Sequence, residues 1–299
     1  LGGQRNKEMR VVKANNERVV TIDGKEAGFA FNQGDFRQVK KLIYDHAGIN
    51  LADTKQDMVY SRIIRRLRAT GTQTFREYLQ LVEKNPEEWE AFVNSLTTNL
   101  TAFFREEYHF PILESLMRSH TDKSRPFRIW CSAASTGEEP YSLAMTALEV
   151  FGKNPPVEII STDIDTSVLA KADAGVYRAD RIEKLDPKYL RYFMRGKGSN
   201  EGMVRVRPEV RELVTFKPLN LLDNQWPIQG IFDALFCRNV LIYFDKDTQR
   251  KVLEKFTPYM NANSQLFVGH SESLLHLNDL FRLRGKTVYE HQLPRSSAG

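Results

Sequence analysis

The chain has 299 residues, 41% hydrophobic and 27% charged, which is the balance of a globular protein and excludes a fibrous or low-complexity one. No run approaches the roughly 18 uninterrupted apolar residues of a membrane span, and the opening LGGQRNKEMR lacks the apolar core of a signal peptide. The excess of 43 Lys and Arg over 38 Asp and Glu leaves +5, too small to imply nucleic acid by itself.

Residues 1–30 read as a polar N-terminal tail, with a weak hairpin signal around Ala14-Asn15-Asn16. A helical pattern follows. Asp35 is a candidate N-cap for FRQVKKLIYDHAG, with Gly48 as its stop. A second helix runs from Lys55 to Ala69 before Gly71, a third covers TFREYLQLVEK, and Pro86 opens a fourth. Together these predict an all-α N-terminal domain over 31–117, then a linker at 118–126, RSHTDKSRP. In the second helix Val59, Tyr60, Ile63, Ile64 and Leu67 share one face at about 100° per residue. Arg62, Arg65, Arg66 and Arg68 spread over the other, either as a solvated face or as a docking surface for an acidic partner.

Beyond residue 126 the character changes. FRIWCS, VEIIST, LVTFKP, IFDALFCR and QLFVGH alternate with helical stretches, as in an α/β domain with a parallel sheet and crossover helices. This domain is assigned to 127–293, with a short C-terminal tail at 294–299. Residues 178–212 break the alternation with a short helix opened by Asp186-Pro187, a turn spaced by Gly196, Gly198 and Gly202, and an alternating strand MVRVR. They read as an inserted β subdomain. Cys131 and Cys237 sit in strand-like runs without metal-ligand spacing and are expected as buried, reduced thiols; no metal site is expected.

The turn CSAASTGEEPYSLA, 131–144, follows the first of these strands. Ligands of open α/β sheets bind beyond the carboxyl ends of the strands. Ala133, Ala134, Ser135 and Gly137 permit close backbone approach, whereas Glu138 and Glu139 oppose a pyrophosphate at the helix start. The turn suits a nucleoside with no phosphate and some positive charge, and S-adenosylmethionine fits. A second reading makes Thr136-x-x-Glu139 a capping box. Asp163 ends the next strand about thirty residues on, where an acidic residue can accept ribose hydroxyls, and Asp165 reads as an N-cap.

Three long stretches, TTNLTAFFREEYHF (97–110), CSAASTGEEPYSLAM (131–145) and FCRNVLIYFD (236–245), supported by GHSESL (269–274), resemble the chemotaxis receptor methyltransferases of the CheR family over residues 34–292. The resemblance implies a Rossmann-like class I methyltransferase domain with a small antiparallel β insertion, behind an all-α N-terminal domain. It implies methyl transfer from S-adenosylmethionine, leaving S-adenosylhomocysteine, to glutamate side chains on the cytoplasmic helical bundle of chemoreceptors.

By motif position it implies cofactor contacts from Asn99, Thr101 and Arg105 of the helical unit, with Arg105 on the methionine carboxylate. Glu139 would face the cofactor, Asp163 hold the ribose, and Asn220-Leu221 border the adenine. Arg238 and Asn239 would lie at the cofactor or the site's edge, and Tyr243 near the transferred methyl, with Arg238 and Tyr243 as the catalytic candidates. The insertion would offer an exposed edge to the receptor's C-terminal peptide. A cytoplasmic monomer recruited to membrane-bound receptor arrays is expected, with no membrane insertion and no nucleic-acid partner. From spacing alone NLTAFFRE reads instead as an amphipathic helix, and His109 and His270 receive no catalytic role. A nucleic-acid methyltransferase would share the fold, but FCRNVLIYF lacks the Asp/Asn-Pro-Pro-aromatic run of base-amine methylation. A non-catalytic cofactor-binding module is the other rival.

Overall fold

The computed structural model describes residues 29–122 and 124–292 and, as backbone, the strands at Met9–Ala14, Glu17–Ile22 and Lys25–Glu26. The chain divides into two compact units, Leu1–Thr98 and Asn99–Gly299.

In the first unit β1 (Met9–Ala14), β2 (Glu17–Ile22) and β3 (Lys25–Glu26) form an antiparallel sheet in that order, with Ala14 opposite Glu17. The stretch expected as a tail therefore carries strands; the Asn15-Asn16 turn lies outside the described residues. Four helices follow: α1 (Gln33–Ala47), α2 (Gln56–Thr70), α3 (Phe75–Lys84) and α4 (Pro86–Leu96). The cap of α1 is Asn32, not Asp35. Asn32 is extended and its Oδ1 accepts from the amides of Gly34 and Asp35, while Asp35, already helical, accepts from the Asn32 amide. Both residue types cap well, and the reciprocal box places the acid three positions inside. Gly48 and Gly71 end α1 and α2 as expected, both left-handed. The expected face of α2, Val59, Tyr60, Ile63, Ile64 and Leu67, is wholly buried. It shares this unit's buried core with Phe36, Val39 and Ile43 of α1 and Phe92 of α4, each such side chain contributing about 1.5–3 kcal/mol.

The second unit begins with residues 99–106, which are not helical; Phe104 and Glu106 adopt left-handed φ of 51° and 55°. The amphipathic-helix reading of NLTAFFRE is thus overturned: two left-handed residues within three positions break any helical repeat. Next come α5 (Phe110–Ser119), β4 (Phe127–Cys131), α6 (Glu138–Phe151), β5 (Val157–Asp163) and α7 (Thr166–Ala174). The stretch 118–126, read as a linker, lies inside this unit, where Arg125 donates two bonds of 2.7 Å to Asp233.

The insertion holds β6 (Val176–Arg178), α8 (Pro187–Leu190), β7 (Phe193–Arg195), β8 (Met203–Val206) and α9 (Pro208–Arg211). Its three strands are antiparallel in the order β6-β8-β7. The chain then completes the main sheet with β9 (Val214–Pro218), β10 (Ala234–Cys237), α10 (Lys246–Glu254), β11 (Gln265–Val268), β12 (Phe281–Gly285) and β13 (Val288–His291).

The seven-stranded order is β12-β13-β11-β10-β4-β5-β9, with β13 alone running antiparallel to its neighbours. This is the expected Rossmann-like arrangement. From β4 the chain winds outward through β5 to β9, then returns to the other side at β10, so β4 and β10 flank the switch point where such sheets bind ligands. Both faces are covered. Phe127, Ile129 and Cys131 of β4 enter one apolar cluster and Trp130 the other, following the two-residue period of a strand.

Candidate active site

The carboxyl ends of β4, β5, β9 and β10 bring four loops to one edge of the sheet. After β4 the turn is pinned to both neighbouring strands, through Ser132 N to Phe236 O (2.9 Å) and Ala134 N to Thr162 O (2.9 Å). Ser135 turns the chain with φ 48°, and Gly137, φ 95°, starts α6. A Cβ on Gly137 would lie 2.8 Å from the Tyr177 hydroxyl and 2.9 Å from the Ala172 Cβ, so only glycine fits. Gly137 is itself the N-cap and no side chain caps α6, which excludes the capping-box reading of Thr136 and Glu139.

The two glutamates diverge. Glu138 accepts from Thr136 Oγ1 (2.6 Å) and from Arg181 Nη2 of the insertion (2.5 Å). Glu139 turns inward, accepts from the Cys131 thiol (3.2 Å) and lies 2.8 Å from Arg238 Nε, a charge contact without hydrogen-bond alignment. Burial raises the Glu139 pKa and Arg238 opposes that rise. The thiol is likewise pushed up by burial, so it stays a donor. The charge of the turn is thus balanced by two arginines that are remote in sequence.

Asp163 differs. Its Oδ2 accepts from Ser135 N (2.8 Å) and its Oδ1 from Asp165 N (2.9 Å); burial raises its pKa to about 6 against these amides. Asp165 caps α7, accepting from the amides of Ser167 and Val168, and also takes a bond from Asn99 Nδ2 (2.8 Å). The Asn99 carbonyl in turn accepts from Ser135 Oγ (3.2 Å).

The other candidates fall around this turn. The Thr101 carbonyl accepts from Arg181 Nη2 (2.6 Å), Arg105 Nη1 donates to Leu100 O (2.9 Å), and Asn220 and Leu221 follow β9, both buried. Arg238 has a side chain only 1% accessible. Besides Glu139 it reaches Arg105 O through Nη2 (2.5 Å) and His109 Nδ1 through Nη1 (3.0 Å), with Glu106 at 3.9 Å. Asn239 is left-handed, φ 59°, and donates Nδ2 to Glu106 Oε1 (3.3 Å). Tyr243, half-buried, lies on the same segment.

His109 is wholly buried, and burial, reinforced by Arg238, pushes its pKa down to about 4. Its Nε2 lies 2.8 Å from Lys286 O, which can only accept, so the proton sits on Nε2 and Nδ1 accepts from Arg238. Sequence reasoning missed Glu106, His109, Arg181 and Glu272 as parts of this edge. Only the quoted motifs that contain three of them offered a signal.

Within the first unit, Arg62 donates to Thr97 O (2.6 Å) and Arg66 is bidentate to buried Glu88 (2.9 and 2.6 Å), while Arg65 and Arg68 are exposed. Gly196, Gly198 and Gly202 shape the β7–β8 turn. A Cβ on Gly196 would meet Asn200 O at 2.0 Å.

The donor set fits S-adenosylmethionine. The start of α6 presents carboxylates where a phosphate would need bare amides, and Asp163 offers acceptors to a diol. Comparison with known proteins agrees. Residues 34–97 match the CheR methyltransferase all-alpha domain and residues 99–290 the CheR methyltransferase SAM binding domain. A chemotaxis protein methyltransferase of Escherichia coli strain K12 is 52% identical over 264 residues, covering 87% of this chain and 91% of that protein. The corresponding protein of Salmonella typhimurium strain LT2 is 51% identical over 265 residues, 87% of this chain and 91% of its own. Chemotaxis protein methyltransferase 2 of Pseudomonas aeruginosa is 49% identical over 263 residues, 87% and 94% respectively. The chain, with an S-adenosylmethionine-binding second unit, belongs to the CheR methyltransferase family.

Proposed function

We propose that the protein methylates glutamate side chains on the cytoplasmic helical bundle of chemoreceptors, forming glutamyl methyl esters. The observation that carries this reading is that β4, β5, β9 and β10 end at one edge of the sheet, where carboxylates open α6 and end β5. S-adenosylmethionine, when bound, supplies a methyl group on a positively charged sulfur. Asp163 would hold the ribose hydroxyls, Asn220 and Leu221 the adenine, and Arg105 the methionine carboxylate as a two-pronged donor.

A receptor glutamate with a pKa near 4.3 is already ionised at neutral pH, so no general base is required. The buried, neutral His109, bonded at both ring nitrogens, is not placed to be one. The residues' task is alignment, which can lower a barrier by about 7–11 kcal/mol. Tyr243 would orient the acceptor. Charge is lost as sulfonium and carboxylate neutralise, so a cation on the attacking oxygen would favour the ground state. The inaccessible Arg238 satisfies this condition by holding Glu139 and the Arg105 backbone instead of substrate.

The exposed Arg65 and Arg68 would meet the acidic receptor bundle, and β7, an edge strand of the insertion, the receptor's C-terminal peptide. Among the described residues no helix is long and apolar enough to cross a membrane. A cytoplasmic monomer recruited to receptor arrays completes the reading. The test is transfer of labelled methyl onto receptor-rich membranes. Alkali-labile label released as methanol is expected; base-stable label, or label on nucleic acid, overturns it.

A further inference from the structure

Past the last β10–β11 pair, Cys237 opposite Val268, the two chains separate and their backbone amides lose sheet partners. One side chain takes them up. Glu272, 4% exposed, accepts from Gly269 N (2.6 Å) and Asn239 N (2.8 Å) at Oε2 and from Ile242 N (3.2 Å) at Oε1. Its own amide returns to Gly269 O (2.9 Å). The loops close tightly on this carboxylate: a Cβ on Gly269 would lie 2.7 Å from Glu272 Oε2 and 2.5 Å from Asn239 Nδ2.

We propose that Glu272 is a positioning residue for methyl transfer, fixing the Asn239–Tyr243 segment at the edge of the sheet through the segment's own backbone. This rests on the reading that the segment faces the acceptor carboxylate. The segment needs such a hold. Leu241 packs into the core, but Asn239 is left-handed and Ile242 is 49% exposed, so the backbone between them has no strand partner to fix its turn. The groups that hold the Glu272 charge are backbone amides of Asn239, Gly269, Ile242 and Leu241, not a cation. A carboxylate with acceptors on both oxygens can serve two diverging loops at once; a glutamine would set its NH2 against one of them. Glu106 also bonds both loops, accepting from Asn239 Nδ2 of the segment and from His270 N (3.1 Å) and Nδ1 (2.9 Å) after β11.

The test compares Glu272→Gln, Tyr243→Phe and the double variant in the full chain. Glu272→Gln is expected to lower kcat about 10–100-fold, as small misplacements do, with S-adenosylhomocysteine affinity by calorimetry held within about threefold. Hydrogen exchange at Asn239 and Ile242 should quicken while β4 and β5 stay protected. The double variant should be little slower than the slower single one, because both act on one segment. Unchanged exchange, unchanged kcat, or exchange quickened throughout the sheet would overturn the proposal. A slow Glu272→Gln beside a normal Tyr243→Phe would support Glu272 and refute the role given to Tyr243. The reverse would refute Glu272 alone.

Discussion

His109 and Asp163 show how one property, burial, produces opposite demands on a side chain. An unfolded histidine titrates near 6.5, whereas folded His109 waits until about pH 4. The unfolded chain therefore binds a proton first, and stability drains away as pH falls from 6.5 towards 4, by roughly 3 kcal/mol in full. His109→Gln, which keeps a donor and an acceptor, is expected to flatten this loss in urea titrations between pH 7 and 4.5. For Asp163 the disfavoured form is the ionised one, held at a pKa of about 6. On the proposed ribose role, protonation turns one of the Asp163 oxygens from acceptor to donor, so S-adenosylhomocysteine affinity should weaken as pH drops through 6, by up to about tenfold per unit. Calorimetry from pH 8 to 5 checks this, and Asp163→Asn should bind weakly at every pH without the inflection.

At the scale of elements, the turn between β4 and α6 is clamped from several directions. The insertion reaches it through Tyr177, whose hydroxyl donates to Thr136 O (2.7 Å), and through Arg181 on Glu138; β10 reaches it through Arg238 on Glu139. Gly137→Ala would push against Tyr177 and Ala172 in a left-handed conformation, costing about 2–5 kcal/mol. Melting temperature and cofactor affinity are expected to fall together; loss of neither would show that the turn can shift freely. The β12–β13 hairpin was not legible, because its turn uses Lys286 and Thr287 at φ 50° and 55°, where Asn-Gly would be the usual signal. These two residues earn their place through tertiary bonds, since Lys286 O and Thr287 Oγ1 both meet His109 Nε2.

Across the whole molecule, charge is divided between structure and surface. Arg66 is committed to buried Glu88, which also accepts from Tyr78, so Arg66→Ala should cost roughly 3 kcal/mol by stranding that carboxylate. Arg65→Glu should leave the melting temperature unchanged and slow receptor methylation at low salt, the difference closing as salt rises. A salt-independent defect, or none, would remove α2 from docking. Sequence alone determined the kinds of element, the buried face of α2, the parallel sheet and the class of cofactor, because periodicity, caps and a carboxylate at a helix start act within a few residues of chain. It misjudged residues 97–118, whose helical and polar patterns look alike whichever unit they join. Only the tertiary structure decided that the chain divides after Thr98, that Arg238 is sealed inside, and that Glu272 holds the segment before Tyr243. Those outcomes depend on bonds such as that between Arg238 and Arg105, 133 residues apart, and no local pattern encodes which distant partner will satisfy a buried charge.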